Sequence, residues 1–394
     1  MENFQIQNQT DIRFGANRFQ KELQTVLAQF GQRVLLVYGG GSIKKSGLYD
    51  QVMTALEDFD ITELNGIAPN PKIDSVRRGQ ALVKENDIQV ILAIGGGSVI
   101  DASKVIASSR YYEGDPWDLV KDASLRTDLD QLPVVDILTL AATGTEMNYG
   151  SVISNPDTHE KLGTVGPNRP AVSFEDPTLT YSVSAWQTAA GSIDIFSHLA
   201  EQYFDQATGT DVQDGMIEGI MRAVIKWAPV AIEEPNNYDA RANLMWASTM
   251  ALNGLVRTGK RNGWTVHPIE HELSAYYDIT HGVGLGILTP RWMKFALNEQ
   301  TEAKFARFGR QVWGLKGDDD QVAQAAIQAT YDWVKSLGVP TTLPGVDINE
   351  ETHFVPMASS AVKVGHLEQQ AYVPMTSDDV VALYQASMTT DGFE

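Results

Sequence analysis

The chain has 394 residues, too many for one hydrophobic core to keep growing, so two domains are expected. Its formal charge of -20 disfavours a nucleic-acid partner, whose binding draws on clustered Lys and Arg, and with no cysteine it can form neither disulfides nor thiolate metal sites. Hydrophobic residues at 43% and charged residues at 20% are ordinary globular usage, and no stretch reaches the ~20 apolar residues of a membrane span. The start "MENFQIQNQTDIRFG" carries no basic and apolar leader, so a cytoplasmic protein is expected.

Taken in order, the first 180 residues alternate β-rich runs with helical patterns. "RVLLVYGGGS" is followed by a helix near Gly47 to Phe59, then "ITEL", a helix near Ile73 to Lys84, "QVILAIGGGS" and a further helix. This alternation predicts a Rossmann-like α/β domain, a parallel sheet with helices on both faces. Both apolar strands are nearly continuous, as sheets covered on two sides require. After "FEDPTLTYSVSAW" amphipathic patterns take over, including Met216 to Val230 and Arg241 to Leu255. The expected division is an α/β dinucleotide-binding domain over 1–183 and an all-α metal-binding domain over 184–394.

Gly39, Gly40, Gly41 and Ser42 follow one strand; Gly95, Gly96, Gly97 and Ser98 follow another and open a helix. Glycine lets a ligand approach the backbone, and exposed N–H groups at a helix start attract phosphate. Each turn alone is weak, since glycines also make tight strand-to-helix turns, but two at the carboxyl ends of parallel strands fit a dinucleotide across the sheet edge. The first turn reads "GGGSIKK", with no acid for the ribose 2'-hydroxyl of NAD, a hydroxyl at Ser42 and cations at Lys44 and Lys45. A preference for NADP(H) over NAD(H) is expected, although these lysines also suit a solvated helix.

"AAGSIDIFSHLAEQYF" sets Asp194 and His198 one helical turn apart on one face. "GWTVHPIEHELSAYYDITHGVG" adds His267 and His271, again four apart with Pro268 in the first helical turn, and His281 on a turn beyond that helix. Asp194, His198, His267 and His281 together offer three imidazoles and a carboxylate, a set suited to Fe2+ or Zn2+ with a position left open for a substrate oxygen. Taken singly, each histidine is more often an ordinary core or surface residue; the clustering shifts the balance. "HPIEHE" lacks the metalloprotease order HExxH. Glu201 and Glu272 also come within reach of a metal but suit a solvated helix face equally. A metal-dependent hydrolase or lyase using the same four ligands is the alternative, and it leaves both glycine turns without a purpose.

These residues resemble the iron-containing, or group III, alcohol dehydrogenases with their dehydroquinate synthase-like architecture, in particular the NADPH-dependent butanol dehydrogenase and broad aldehyde reductase branch. The resemblance spans the chain through "GGGSIKKSG", "PNPK", "GGGSVIDASK", "TGTEMN", "FEDPTLT", "DIFSHLAE" and Trp264 to Gly284. It implies reversible reduction of a short-chain aldehyde such as butanal to a primary alcohol, with hydride from nicotinamide C4 and the metal as Lewis acid. It puts the metal on Asp194, His198, His267 and His281, and His271 near the nicotinamide and substrate. It puts the cofactor on Gly39, Gly40, Ser42, Asn70, Gly96, Gly97, Ser98, Asp101, Thr139, Leu140, Thr143, Asn148, Val152 and Lys161. At Gly40 many NAD-using relatives carry aspartate. Departures are Thr139-Leu140 for the usual Thr-Thr pair, Thr145 for serine in TGSE, and Ser184 where proline is common. A homodimer acting on a small aldehyde or alcohol is also implied.

Overall fold

The computed structural model describes every residue except Asn262 and Glu394. The chain up to residue 183 carries β1 (Asp11–Phe14), α1 (Arg18–Ala28), β2 (Arg33–Tyr38), α2 (Ser42–Lys45), α3 (Leu48–Ala55), β3 (Asp60–Leu64) and α4 (Ile73–Glu85). It continues with β4 (Val90–Gly95), α5 (Gly97–Ser109), α6 (Pro116–Lys121), β5 (Val134–Leu138), β6 (Gly150–Asn155), β7 (Glu160–Val165) and β8 (Val172–Glu175). Helices then dominate: α7 (Ala185–Tyr203), α8 (Asp211–Glu233), α9 (Tyr238–Leu252), α10 (Val266–Tyr277), α11 (His281–Ala296) and α12 (Glu302–Trp313). The last four are α13 (Asp319–Ser336), α14 (Phe354–Gly365), α15 (Leu367–Gln370) and α16 (Ser377–Ala386). No described helix is long and apolar enough to cross a membrane.

By internal contacts the chain forms two units. One comprises Gln7–Val183 with Asn236–Thr249, the other Met1–Ile6, Ser184–Pro235 and Met250–Glu394. The short excursion is most of α9, which lies inside the span expected as helical domain. Its Met245 is buried in the sheet unit's core, and its Trp246 ring meets Phe14 edge-on at 6.1 Å.

The sheet unit holds six strands in the order β1-β8-β5-β4-β2-β3, every neighbouring pair parallel. Period-two alternation explains the apolar runs: Leu35 and Val37 of β2 enter one core, while Val34, Leu36 and Tyr38 enter the other. α4 and α5 cover the first face with Ile73, Val76, Ile100 and Val105; α1 and α3 cover the second with Phe19, Leu23, Leu48 and Val52. The connections leaving β2 and β4 thus run to opposite faces. Such divergence between neighbouring strands marks the place where open parallel sheets bind ligands, and both glycine turns lie there, at the carboxyl ends of β2 and β4. The antiparallel hairpin β6–β7 pairs Gly150↔Val165 through Asn155↔Glu160 and was not expected from the sequence.

Asp136, Glu146 and Glu175 are completely buried in this unit. The Thr249 hydroxyl lies 2.6 Å from Glu146 Oε1 and 3.1 Å from Glu175 Oε1. One hydroxyl hydrogen cannot serve two carboxylates, so at least one acid keeps its proton. Burial, then the charge of Glu146, raises the Glu175 carboxyl against the opposing Thr249 bond. Because the folded state holds a proton that the unfolded chain releases above the ordinary glutamate range, stability falls as pH rises past that range. Glu175→Gln is therefore expected to raise Tm, and by more at about pH 8 than at about pH 5; an equal shift at both would show that Glu175 is ionised in the fold.

In the helical unit, α7 starts at Ser184, whose hydroxyl accepts the Gln187 N–H at 3.2 Å, and is buried from Thr188 to Tyr203. A ring cluster flanks it, with Phe196 5.0 Å from Trp333 and Phe204 stacked on Phe305 at 4.3 Å. α11 crosses α7 so closely that a Cβ on Gly282 would stand 2.0 Å from the Ala190 carbonyl oxygen. Gly282→Ala must push the helices apart and should cost about 1–3 kcal/mol, read as a lowered Tm in metal-free protein; an unchanged Tm would contradict the packing.

Candidate metal centre and cofactor cradle

Three helices of the helical unit bring Asp194, His198, His267 and His281 together. α7 supplies Asp194 and His198 from successive turns, α10 supplies His267 from its first turn, and α11 opens on His281. His281 was expected on a turn beyond the helix; it instead begins the next one, after Thr280 in an extended conformation. Nε2 of His198 and Nε2 of His267 each lie 3.6 Å from Asp194 Oδ1, and Nε2 of His281 lies 3.7 Å from it. Ligands bound tetrahedrally at about 2.1 Å stand about 3.4 Å apart, so the spacing suits one shared ion.

The donor set also fits by what it leaves unpaired. Asp194 Oδ1 and His267 Nε2 are buried with no hydrogen-bond partner among the described residues, a costly state unless something sits between them. Burial raises the Asp194 carboxyl, but His198 and the other imidazoles outweigh it and hold the group well below the usual range. Burial lowers the His198 imidazole to about 4 against the pull of Asp194. Burial also lowers His267, yet Glu201 and Asp194 more than reverse it, to about 9. An anionic oxygen faced by imidazoles that compete for protons is chemistry that a divalent cation satisfies.

Two carboxylates stand behind the imidazoles. Glu201 accepts from His267 Nδ1, and it also accepts backbone N–H groups of Val266 at 2.6 Å and His267 at 3.1 Å, so it caps α10 as well. Glu270, fully buried, accepts from His281 Nδ1 and, at 2.6 Å, from the Ser274 hydroxyl. A proton fixed on Nδ1 leaves the Nε2 lone pair free to point at the ion. His198 lacks this support, since its Nδ1 has no partner among the described residues. Sequence reasoning passed over Glu270 and left Glu201 and Glu272 out of the site; Glu272 accepts the Ser360 hydroxyl at 2.6 Å. His271 lies beside the cage and is partly exposed, its ring 5.4 Å from that of His281 and 6.2 Å from that of His267.

In the sheet unit, Gly39, Gly40 and Ser42 follow β2, and a Cβ on Gly40 would meet nothing within 4 Å. Ser42, Lys44 and Lys45 are exposed, but the Lys44 ammonium sits over the Tyr49 ring at 4.4 Å. Both Tyr49 and Tyr38 donate their hydroxyls to Glu63, at 2.7 and 2.6 Å. Asn70 takes a left-handed φ of 50°. Gly96 and Gly97 start α5 beneath the loop after β5: their added Cβ atoms would come 3.0 Å from Leu140 Cβ and 2.5 Å from Thr143 Oγ1. Thr139 N–H donates to the Gly95 carbonyl at 3.0 Å, and Ser98 follows in the first turn.

The remaining expected cofactor residues brace the hairpin. Asp101 is buried and accepts the Val152 N–H at 2.8 Å and the Thr145 hydroxyl at 2.5 Å. Asn148 donates to the Gly144 carbonyl and accepts from Gly150 N–H, both at 2.8 Å. Lys161 pairs with Ser154 across the strands. Lys104, which sequence reasoning passed over, ties α5 to this region through Thr145 Oγ1 at 2.7 Å and the carbonyls of Asn148 and Gly150 at 2.8 Å.

The chain is similar to known proteins over nearly its whole length. The family described as iron-containing alcohol dehydrogenase matches residues 9–177, and its C-terminal counterpart matches residues 188–388. NADH-dependent butanol dehydrogenase A of Clostridium acetobutylicum is 48% identical over 367 residues, covering 92% of this chain and 93% of that protein. The NADPH-dependent aldehyde reductase YqhD of Escherichia coli is 38% identical, covering 87% and 89%. The crystal structure of NADH-dependent butanol dehydrogenase A from Thermotoga maritima superposes with a TM-score of 0.92 at 34% identity, over 99% of both chains. The chain belongs to the iron-containing alcohol dehydrogenase family, within its butanol dehydrogenase and aldehyde reductase branch.

Glu201→Gln keeps a carbonyl for the α10 cap but loses the acceptor for His267 Nδ1. Metal affinity, measured by competition with a chromophoric chelator, should fall about 10- to 100-fold. Unchanged affinity would remove Glu201 from the support of the site.

Proposed function

We propose that this chain reduces short-chain aldehydes to primary alcohols with NAD(P)H, on an Fe2+ or Zn2+ ion held by Asp194, His198, His267 and His281. The convergence of three Nε2 atoms on Asp194 Oδ1 is the observation that carries this reading. When bound, the ion supplies Lewis-acid polarisation of the carbonyl and the nicotinamide supplies hydride. The balance is aldehyde, NAD(P)H and one proton giving alcohol and NAD(P)+.

The protein's own groups bind, orient and supply the proton. Asp194 contributes the negative charge of the cage, while Glu201 and Glu270 hold His267 and His281 in the tautomer that leaves Nε2 unprotonated. The helix start at Gly97 and the open backbone at Gly40 receive the dinucleotide phosphates. Val152 and Lys161, on the hairpin held by Asp101, line the cofactor in this reading. His271, partly exposed beside the cage, passes a proton to the product oxygen. The homodimer rests on the family resemblance.

Cofactor choice rests on this chain's own residues, because the relatives divide between NADH-dependent and NADPH-dependent enzymes. The Gly40 turn has no acid, and Lys45 is exposed, while Lys44 is engaged with the two tyrosines. We read this as a preference for NADPH. Initial rates with the two cofactors decide it, and clearly faster use of NADH overturns it.

Asp194→Ala and His267→Ala should each abolish metal retention, and fully metal-free wild type should be inactive until metal is restored. Activity that survives complete chelation would end the Lewis-acid role. His271→Gln should slow turnover about 100-fold or more with metal content unchanged; loss of metal would make His271 part of the cage instead.

A further inference from the structure

Arg126 lies in the 3-10 turn Ala123–Arg126 and is fully buried in the sheet unit. Buried arginines are almost always paired, because an isolated buried charge is very costly. Yet among the described residues the only acceptor of this guanidinium is the Thr164 hydroxyl at 2.5 Å, and Nε and Nη1 have none. Burial alone accounts for its lowered affinity for a proton; no carboxylate contributes. Lys104, another buried cation of the region, has Asp101 and Glu146 as opposing charges and is itself repelled by Arg126.

The surroundings are shaped for the guanidinium. Thr164 and Ser151 are cross-strand partners on β7 and β6, so their side chains share a face of the hairpin. That face also carries Ile153, which is buried in the core, and Leu162, which packs against it; Val152 and Lys161 project from the other. The Ser151 hydroxyl is buried without a partner among the described residues. Gly166, next along this face from Thr164, leaves the room required: a Cβ there would stand 2.5 Å from Nη1. Ser151 is thus the cross-strand neighbour of the one residue that Arg126 bonds, and both carry unused donors beside an uncompensated positive charge.

We propose that Arg126 and Ser151 form a buried site for one small monovalent anion of the halide class, beneath the β6–β7 hairpin. A single negative charge balances the single guanidinium, and the free N–H and O–H donors replace the ion's hydration. The ion enters by local opening of the turn, where Ser124, Leu125 and Thr127 are exposed.

The test uses the full-length protein. Crystals grown in bromide are measured at the bromine absorption edge, and melting is followed from low to hundred-fold higher chloride, with gluconate holding the ionic strength. The proposal expects an anomalous peak in contact with the Arg126 guanidinium and a chloride-dependent rise in Tm of about 2 °C or more. That rise should vanish in Arg126→Met and shrink in Ser151→Ala. The bromide map needs no variant, so a folding failure of Arg126→Met leaves the question decidable. Ordered water without an anomalous peak, or a chloride response equal in wild type and Arg126→Met, overturns the proposal.

Discussion

One oxygen organises the helical half: Asp194 Oδ1, faced by three imidazole nitrogens at 3.6 to 3.7 Å. Those rings come from α7, α10 and α11, and their approach depends on what lies behind them. Gly282 lets α11 rest against the α7 backbone, and at Gly284 a Cβ would stand 2.8 Å from Glu270 Cγ, so small residues make room for the carboxylate that orients His281. Glu201 joins two duties, since the carboxylate that fixes His267 also caps the helix carrying it. Metal geometry and helix packing are thus one constraint.

The sheet half follows a different logic. Its apolar strands build a platform, and the candidate cofactor residues gather at the carboxyl edge, where glycines bring α5 against the loop after β5. The hairpin is anchored to that edge by buried polar groups, chiefly Asp101 and Lys104, whose bonds are to neighbouring backbone and hydroxyl groups. Acids and cations are tolerated in this interior where an acid keeps its proton or a cation faces an opposing charge; Arg126 stands out by having one hydroxyl and no opposing charge.

How much of this was legible in the sequence depended on the length over which a signal repeats. "RVLLVY" and "QVILAI" announced buried parallel strands because both sheet faces are covered, and the Asp194 and His198 pair announced a helix face. The hairpin was not legible, since "GSVISN" and "EKLGTV" mix small, polar and apolar residues too briefly for either period to stand out. Glu201 suited a solvated helix face and Glu270 carried no signal of its own; only tertiary packing turns them toward imidazoles. α9 read as one more amphipathic helix of the second half, and its sequence carries no mark of the contacts that join it to the sheet unit.

A shared ion at Asp194 is the centre of the proposed site. Anomalous diffraction at the metal absorption edge, on protein purified without chelator or histidine tag, tests it most directly. The expected result is one ion about 2.0–2.2 Å from Asp194 Oδ1 and from Nε2 of His198, His267 and His281. An ion bound elsewhere, or the four side chains closed on each other around water in metal-replete crystals, would contradict it.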